Sequence, residues 1–222
     1  MLHELFPNVD WLEMWQATLE TLFMTVISVA ATFILGIILG LLLFVTSKGN
    51  LFENVVINKM IAAIVNIFRS IPFIILLILL IPFTVFLVGT MLGAKAALPA
   101  LIIAAAPFYA RLVEIGLREI DKGVIEAAQS MGATKLQIVR KVLLPEAMPA
   151  LTSGITVTAI ALIGNTAMAG VVGAGGLGNL AYLEGYQRNH NDVTLISTVC
   201  ILVIVFVIQL IGDITTKKID KR

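Results

Sequence analysis

Long apolar runs alternate with short polar punctuation along this chain. Runs at about 19–46, 60–82, 96–116, 151–172 and 193–212 each approach or exceed the length needed to cross a bilayer, roughly 20 residues of α-helix. The window from 60 to 116 is interrupted by Pro82, Gly89, Gly93 and Lys95, which leaves room for two spans and an outer hairpin. Five spans is the expected number, and six is the alternative.

The longest polar stretch, 117–150, separates the third run from the fourth. Asp121 is placed to cap a helix through Glu126, Ala127 and Ala128 to Met131, and Gly132 supplies the left-handed residue that ends it. Thr134 and Gln137 form a capping-box pattern that starts a second helix. That helix is expected to stop at Leu144, because Pro145 has no N–H and restricts its predecessor. The product is a helix–glycine–helix elbow with an apolar stripe of Val124, Met131, Leu136, Val139 and Leu143. Ala127 and Ala128 are small enough to admit another helix closely. From the residues alone two readings stand: an amphipathic hairpin on anionic lipid, or a docking surface for a soluble partner.

Charge orients the bundle through the excess of Lys and Arg on the cytoplasmic side. With the N-terminus outside, Lys48, Lys59, Arg111, Arg118, Lys122, Lys135, Arg140, Lys141, Lys217, Lys218, Lys221 and Arg222 all fall inside. Lys95 and Arg188 fall outside, and Arg69 lies within a span. The C-terminus is then cytoplasmic, and residues 1–222 are expected to form one multi-pass domain.

Composition agrees: 59% apolar and 13% charged is too apolar for a soluble domain. A net charge of +1, with no basic cluster interleaved with aromatics, gives no basis for nucleic-acid binding. Residues 1–18 carry Glu4, Asp10 and Glu13 but no Lys or Arg, so the first span is expected to remain as an anchor. Cys200 is the one cysteine, and His3 and His190 are far apart in sequence, so neither a disulfide nor a metal or catalytic cluster is expected. The spans lack the paired Asp or Ser–His sets of a membrane enzyme, and two related halves, as in secondary transporters, are not evident.

A few polar residues stand out within the spans. Arg69 shares a helix face with Asn66 and precedes Pro72, which loosens the helix. Asn66, Arg69 and Ser70 read either as polar glue at a helix junction or as pathway lining, with a snorkelling arginine as the plain alternative. Arg111 and Glu114 are spaced to pair. The fourth span, punctuated by Thr156, Thr158, Asn165 and Thr166, is the best pathway candidate. Met168 is the one large residue between Thr166 and Gly170; in a two-fold dimer it reads as an apolar gate or as filler of a helix interface. Gly173, Gly175 and Gly178 spell a dinucleotide fingerprint, but they follow a membrane helix rather than a strand, so nucleotide binding is rejected. A tight outer turn or re-entrant segment is expected there, followed by Glu184, Tyr186 and Arg188 in an outer loop.

Glu126-Ala127-Ala128, three residues, Gly132, nine residues and Val142-Leu143-Leu144-Pro145 resemble the EAA loop of ABC importer permeases, with Val142 where Ile is usual. The runs 66–73, 106–114, 167–170 and 173–178 resemble the permeases of methionine ABC importers in particular. The resemblance implies an all-α type I importer permease fold in the cell membrane, working as a homodimer. It implies two ATPase subunits that hold ATP and Mg, an extracytoplasmic methionine-binding (lipo)protein, and no cofactor or catalytic site in this chain. Glu126, Ala127, Ala128, Gly132, Ala133, Val142, Leu144 and Pro145 would couple to the ATPase. Met168, Asn165, Thr166, Arg69 and Asn66 are the pathway or gate candidates. The implied substrate is methionine in its L- and D-forms; the alternative is another amino acid or small polar solute carried by a permease of the same class.

Overall fold

The computed structural model describes residues 6–220, and the regular elements among them are all helical. Helix α1 (Trp11–Thr46) begins ahead of the predicted residue 19, because the Asp10 carboxylate accepts from the Leu12 and Glu13 N–H groups at 2.8 and 3.2 Å. It packs along α5 (Ala94–Arg118) over a seam that glycine makes possible. A Cβ at Gly36 would lie 3.1 Å from Tyr109 Cγ, and one at Gly40 would lie 2.6 Å from the Ala110 carbonyl oxygen.

The run predicted as one span at 60–82 is broken. Helices α2 (Val55–Ser70) and α3 (Phe73–Leu79) meet at 105°. Pro72 forces the break: Ile71 before it is extended (φ −83°, ψ 124°), the conformation a residue preceding proline is pushed into. Helix α4 (Ile81–Val88) follows and ends at left-handed Gly89, and a second left-handed glycine, Gly93, precedes α5. By length and composition four helices among the described residues are able to cross a membrane, or five if the bent α2–α3 pair counts as one span.

The fourth run departs from expectation more usefully. Pro145 does not separate the elbow from the span. Helix α6 (Lys122–Ser130) leads to α7 (Lys135–Ile138), a π-helical turn (Val139–Leu143) and α8 (Leu144–Ala169), and the last three form one unbroken rod. The Leu144 N–H reaches back five residues to the Val139 carbonyl, so the hydrogen-bond ladder is already loosened where Pro145 has no N–H to give. The rod thus begins earlier than the predicted 151.

At its far end the chain reverses through Gly170–Ala174, where Gly173 is left-handed, into the short α9 (Gly176–Leu180). The returning backbone lies so close that a Cβ at Gly178 would fall 2.7 Å from the Ala167 carbonyl carbon. A π-helical stretch (Ala181–Gln187) then leads to α10 (Asn191–Ile219), longer at both ends than the predicted 193–212. A core cluster at the elbow end joins Phe44 and Leu51 to Tyr109, Leu117, Ile138 and Leu143, and two smaller clusters fill the remainder.

Candidate functional site

The elbow is built by local hydrogen bonds. Asp121 accepts from the Gly123 N–H at 2.7 Å and starts α6. At its end the Gly132 N–H donates to the Gln129 carbonyl at 2.9 Å and the Ala133 N–H to the Ala128 carbonyl at 3.1 Å, a Schellman closure with Gly132 at φ 79°. Thr134 and Gln137 then form the reciprocal capping box that opens α7. Ala128 is buried, and Ala133, Val142 and Leu144 pack half-buried against the elbow-end core. Glu126, Ala127 and Pro145 face outward. The predicted apolar stripe divides: Leu143 is buried and Val139 half-buried, whereas Val124, Met131 and Leu136 are exposed, Met131 at 82%. The capped elbow thus carries an exposed apolar tip, the kind of patch that meets a protein partner or a lipid surface. The link between α1 and α2 braces it, with Leu51 in the core and the Lys135 ammonium 5.2 Å from the centre of the Phe52 ring. Behind the elbow, the predicted Arg111–Glu114 pair is present, and Arg118 reaches the same buried carboxylate at 2.6 Å.

A cavity of about 360 Å³ opens beside the α2–α3 break, between α5 and α8. It brings together Arg69 and Asn165, nearly a hundred positions apart in the chain, with Thr158, Phe68, Phe73 and Phe108. The remaining pathway candidates lie elsewhere. Asn66 is exposed outside the cavity lining, and its carbonyl accepts the Ser70 hydroxyl at 2.8 Å. Thr166 is buried and donates to the Ile163 carbonyl at 2.8 Å. Met168 is 51% exposed, on the face of α8 that also carries Val157, Ala161 and Gly164.

At the far end the glycine-rich reversal is pinned to α1. Glu20 accepts from the Gly176 N–H at 2.6 Å, and the Thr21 hydroxyl accepts from the Leu177 N–H at 2.9 Å. Neither residue was singled out from the sequence. The available signal was a carboxylate isolated within an apolar helix. In the following stretch Glu184 pairs with Arg188 at 2.7 Å, and Tyr186 stacks on Tyr182 while remaining exposed.

The family model for the binding-protein-dependent transport system inner membrane component matches residues 33–222. The chain belongs to that family. It is 68% identical to the methionine import system permease protein MetP of Bacillus subtilis, over all of both chains. It is 54% identical over 151 residues to the D-methionine transport system permease protein MetI of Escherichia coli, covering 68% of this chain and 70% of that one. Among solved structures, an inward-facing MetNI methionine ABC transporter matches at a TM-score of 0.93 and 46% identity, over 96% of this chain and 100% of that one. The fold is therefore the all-helical type I importer permease fold of this family, and its members serve as membrane components of ABC transporters.

Proposed function

We propose that this chain is the membrane subunit of an ATP-driven methionine importer. The observation that carries the reading is the exposed apolar tip of the elbow, Val124, Met131 and Leu136, on a chain whose full length aligns with a methionine import permease. The tip receives a separate ATPase subunit, one on each chain of a homodimer, and ATP and Mg stay on that partner. Catalysis is assigned to that partner, and among the described residues no group of His, Cys, Asp and Glu is gathered to hold a metal. An extracytoplasmic methionine-binding (lipo)protein delivers substrate to the opposite face, where Glu184, Tyr186 and Arg188 lie. The D-isomer is a second substrate, as the names of several relatives indicate for those proteins.

The chain crosses the cell membrane five times, with α2–α3 as one broken span, its N-terminus outside and its C-terminus cytoplasmic. The excess of Lys and Arg on the elbow side supports that orientation. Residues 117–150 are the cytoplasmic coupling segment, with Glu126, Ala127, Ala128, Gly132, Ala133, Val142, Leu144 and Pro145 as its working positions. Met168 on the open face of α8 meets its counterpart across the dimer and closes the pathway in the resting state, and Asn66 and Thr166 are further pathway candidates.

The test is uptake of labelled L-methionine into proteoliposomes holding this chain, its ATPase and its binding protein, beside a sample with Gly132→Asp. Uptake that unlabelled methionine competes away and that the variant loses supports both substrate and coupling. ATP hydrolysis without methionine movement overturns the substrate. Failure of the chain to retain an ATPase overturns the coupling assignment.

A further inference from the structure

Arg69 makes no ion pair among the described residues, and the Asn165 amide makes no hydrogen bond among them, yet both line one cavity. Arg69 lies fourteen residues into α2, roughly 21 Å along the helix from its start, and its side chain is exposed at the cavity, so its guanidinium is open to an anion there. The Thr158 hydroxyl gives its proton to the Gly154 carbonyl at 2.8 Å and keeps its oxygen free to accept. The walls are aromatic, from Phe68, Phe73 and Phe108. Beside them α2 ends at Ser70, and no helical N–H follows to satisfy its last carbonyls, because the chain turns away by 105° at Pro72. A broken helix that presents carbonyls at a cavity rim suits a cation.

We infer that this cavity is a binding site for a zwitterionic α-amino acid with an apolar side chain, and that Arg69 holds its carboxylate. The inference rests on the import reading above and assigns its intramembrane station. The guanidinium fork matches a carboxylate with two parallel hydrogen bonds. The ammonium faces the Asn165 amide oxygen, the Thr158 hydroxyl oxygen and the carbonyl end of α2. The side chain lies among the phenylalanines, where a thioether makes favourable contacts with ring edges. No acidic side chain lines the cavity, so it carries net positive charge and rejects amino acids with cationic side chains.

The test uses the assembled complex of this chain with its ATPase in lipid nanodiscs, without nucleotide and without the binding protein, whose own recognition of methionine would mask the cavity. Binding of tritiated L-methionine is read by scintillation proximity. Wild type is expected to bind it saturably. Methioninol, which keeps the ammonium and thioether but lacks the carboxylate, is expected to compete at least roughly tenfold more weakly, as is lysine. Arg69→Gln is expected to lower methionine affinity roughly tenfold or more and to erase the preference over methioninol, and Arg69→Lys to restore part of both. Methioninol competing as well as methionine on wild type overturns the inference without need of a variant. So does wild-type affinity in a folded Arg69→Gln complex. Absence of saturable binding to a complex that still imports methionine with its binding protein overturns the cavity site alone and leaves the import reading standing. Loss of import by the wild type is a failure of that reading instead, and uptake measured beside binding separates the two.

Discussion

Replacing Gly178 with alanine tests the glycine-rich reversal at the far end of the rod. The added Cβ would lie 2.7 Å from the carbonyl carbon of Ala167 and closer still to that residue's Cα and carbonyl oxygen. All three are backbone atoms of α8, so no side-chain rotation relieves the contact, and α9 must move away from α8 by about 1 Å to regain van der Waals distance. That movement also pulls on the Gly176 and Leu177 N–H bonds to Glu20 and Thr21. Overpacking against backbone places the penalty at the upper end of the usual range, about 2–3 kcal/mol. For a chain of this size that is a fall of roughly 4–12 °C in apparent Tm, read by intrinsic fluorescence on the purified transporter. The decisive arm is the double variant Gly178→Ala with Ala167→Gly. A clash between two Cβ atoms would be rescued by removing one of them, whereas a clash with Cα and carbonyl oxygen is not. A Tm within about 1 °C of wild type for the single variant, or recovery in the double one, refutes the reasoning.

Three further outcomes follow from other positions. Glu114→Gln removes the buried carboxylate that both Arg111 and Arg118 engage and is expected to cost about 1–3 kcal/mol, whereas Arg118→Ala, at a side chain 56% exposed, costs under about 1 kcal/mol; equal Tm shifts would contradict this. Thr134→Ala breaks the capping box at a cost of about 1 kcal/mol and is expected to speed hydrogen exchange at the start of α7 while exchange in α8 stays unchanged. Met168→Ala is expected to raise basal ATPase activity or solute leak in proteoliposomes, and unchanged coupling and uptake would refute the gate.

What could be read from the sequence was set by how far each hydrogen bond reaches. Asp121, Gly132 and the Thr134–Gln137 box close bonds within a few residues, so residue type and spacing carry the information, and the elbow appears where it was expected. Pro145 misled because a proline's effect depends on the ladder around it, and the π-helical turn that accommodates it has no compositional signature. The clasp of Glu20 on Gly176 joins positions 156 apart in the chain. Arg69 and Asn165 were each visible as polar residues in apolar surroundings, but their shared cavity depends on the 105° break and on the packing of α2 and α8 around α5.

Because α7, the π-helical turn and α8 are continuous, Lys135 and Ala169 are two ends of one lever roughly 50 Å long. If it pivots near its middle, where Leu151 and Tyr109 interlock through a 3.0 Å hydrogen bond, a rotation of about 5° swings each end by roughly 2 Å, in opposite directions. Bringing the lower arms of two such levers together below the fulcrum would spread their upper arms. On the proposed reading, the stroke of an ATPase below and the opening of the far side would need no relay between them, because one continuous helix reaches both.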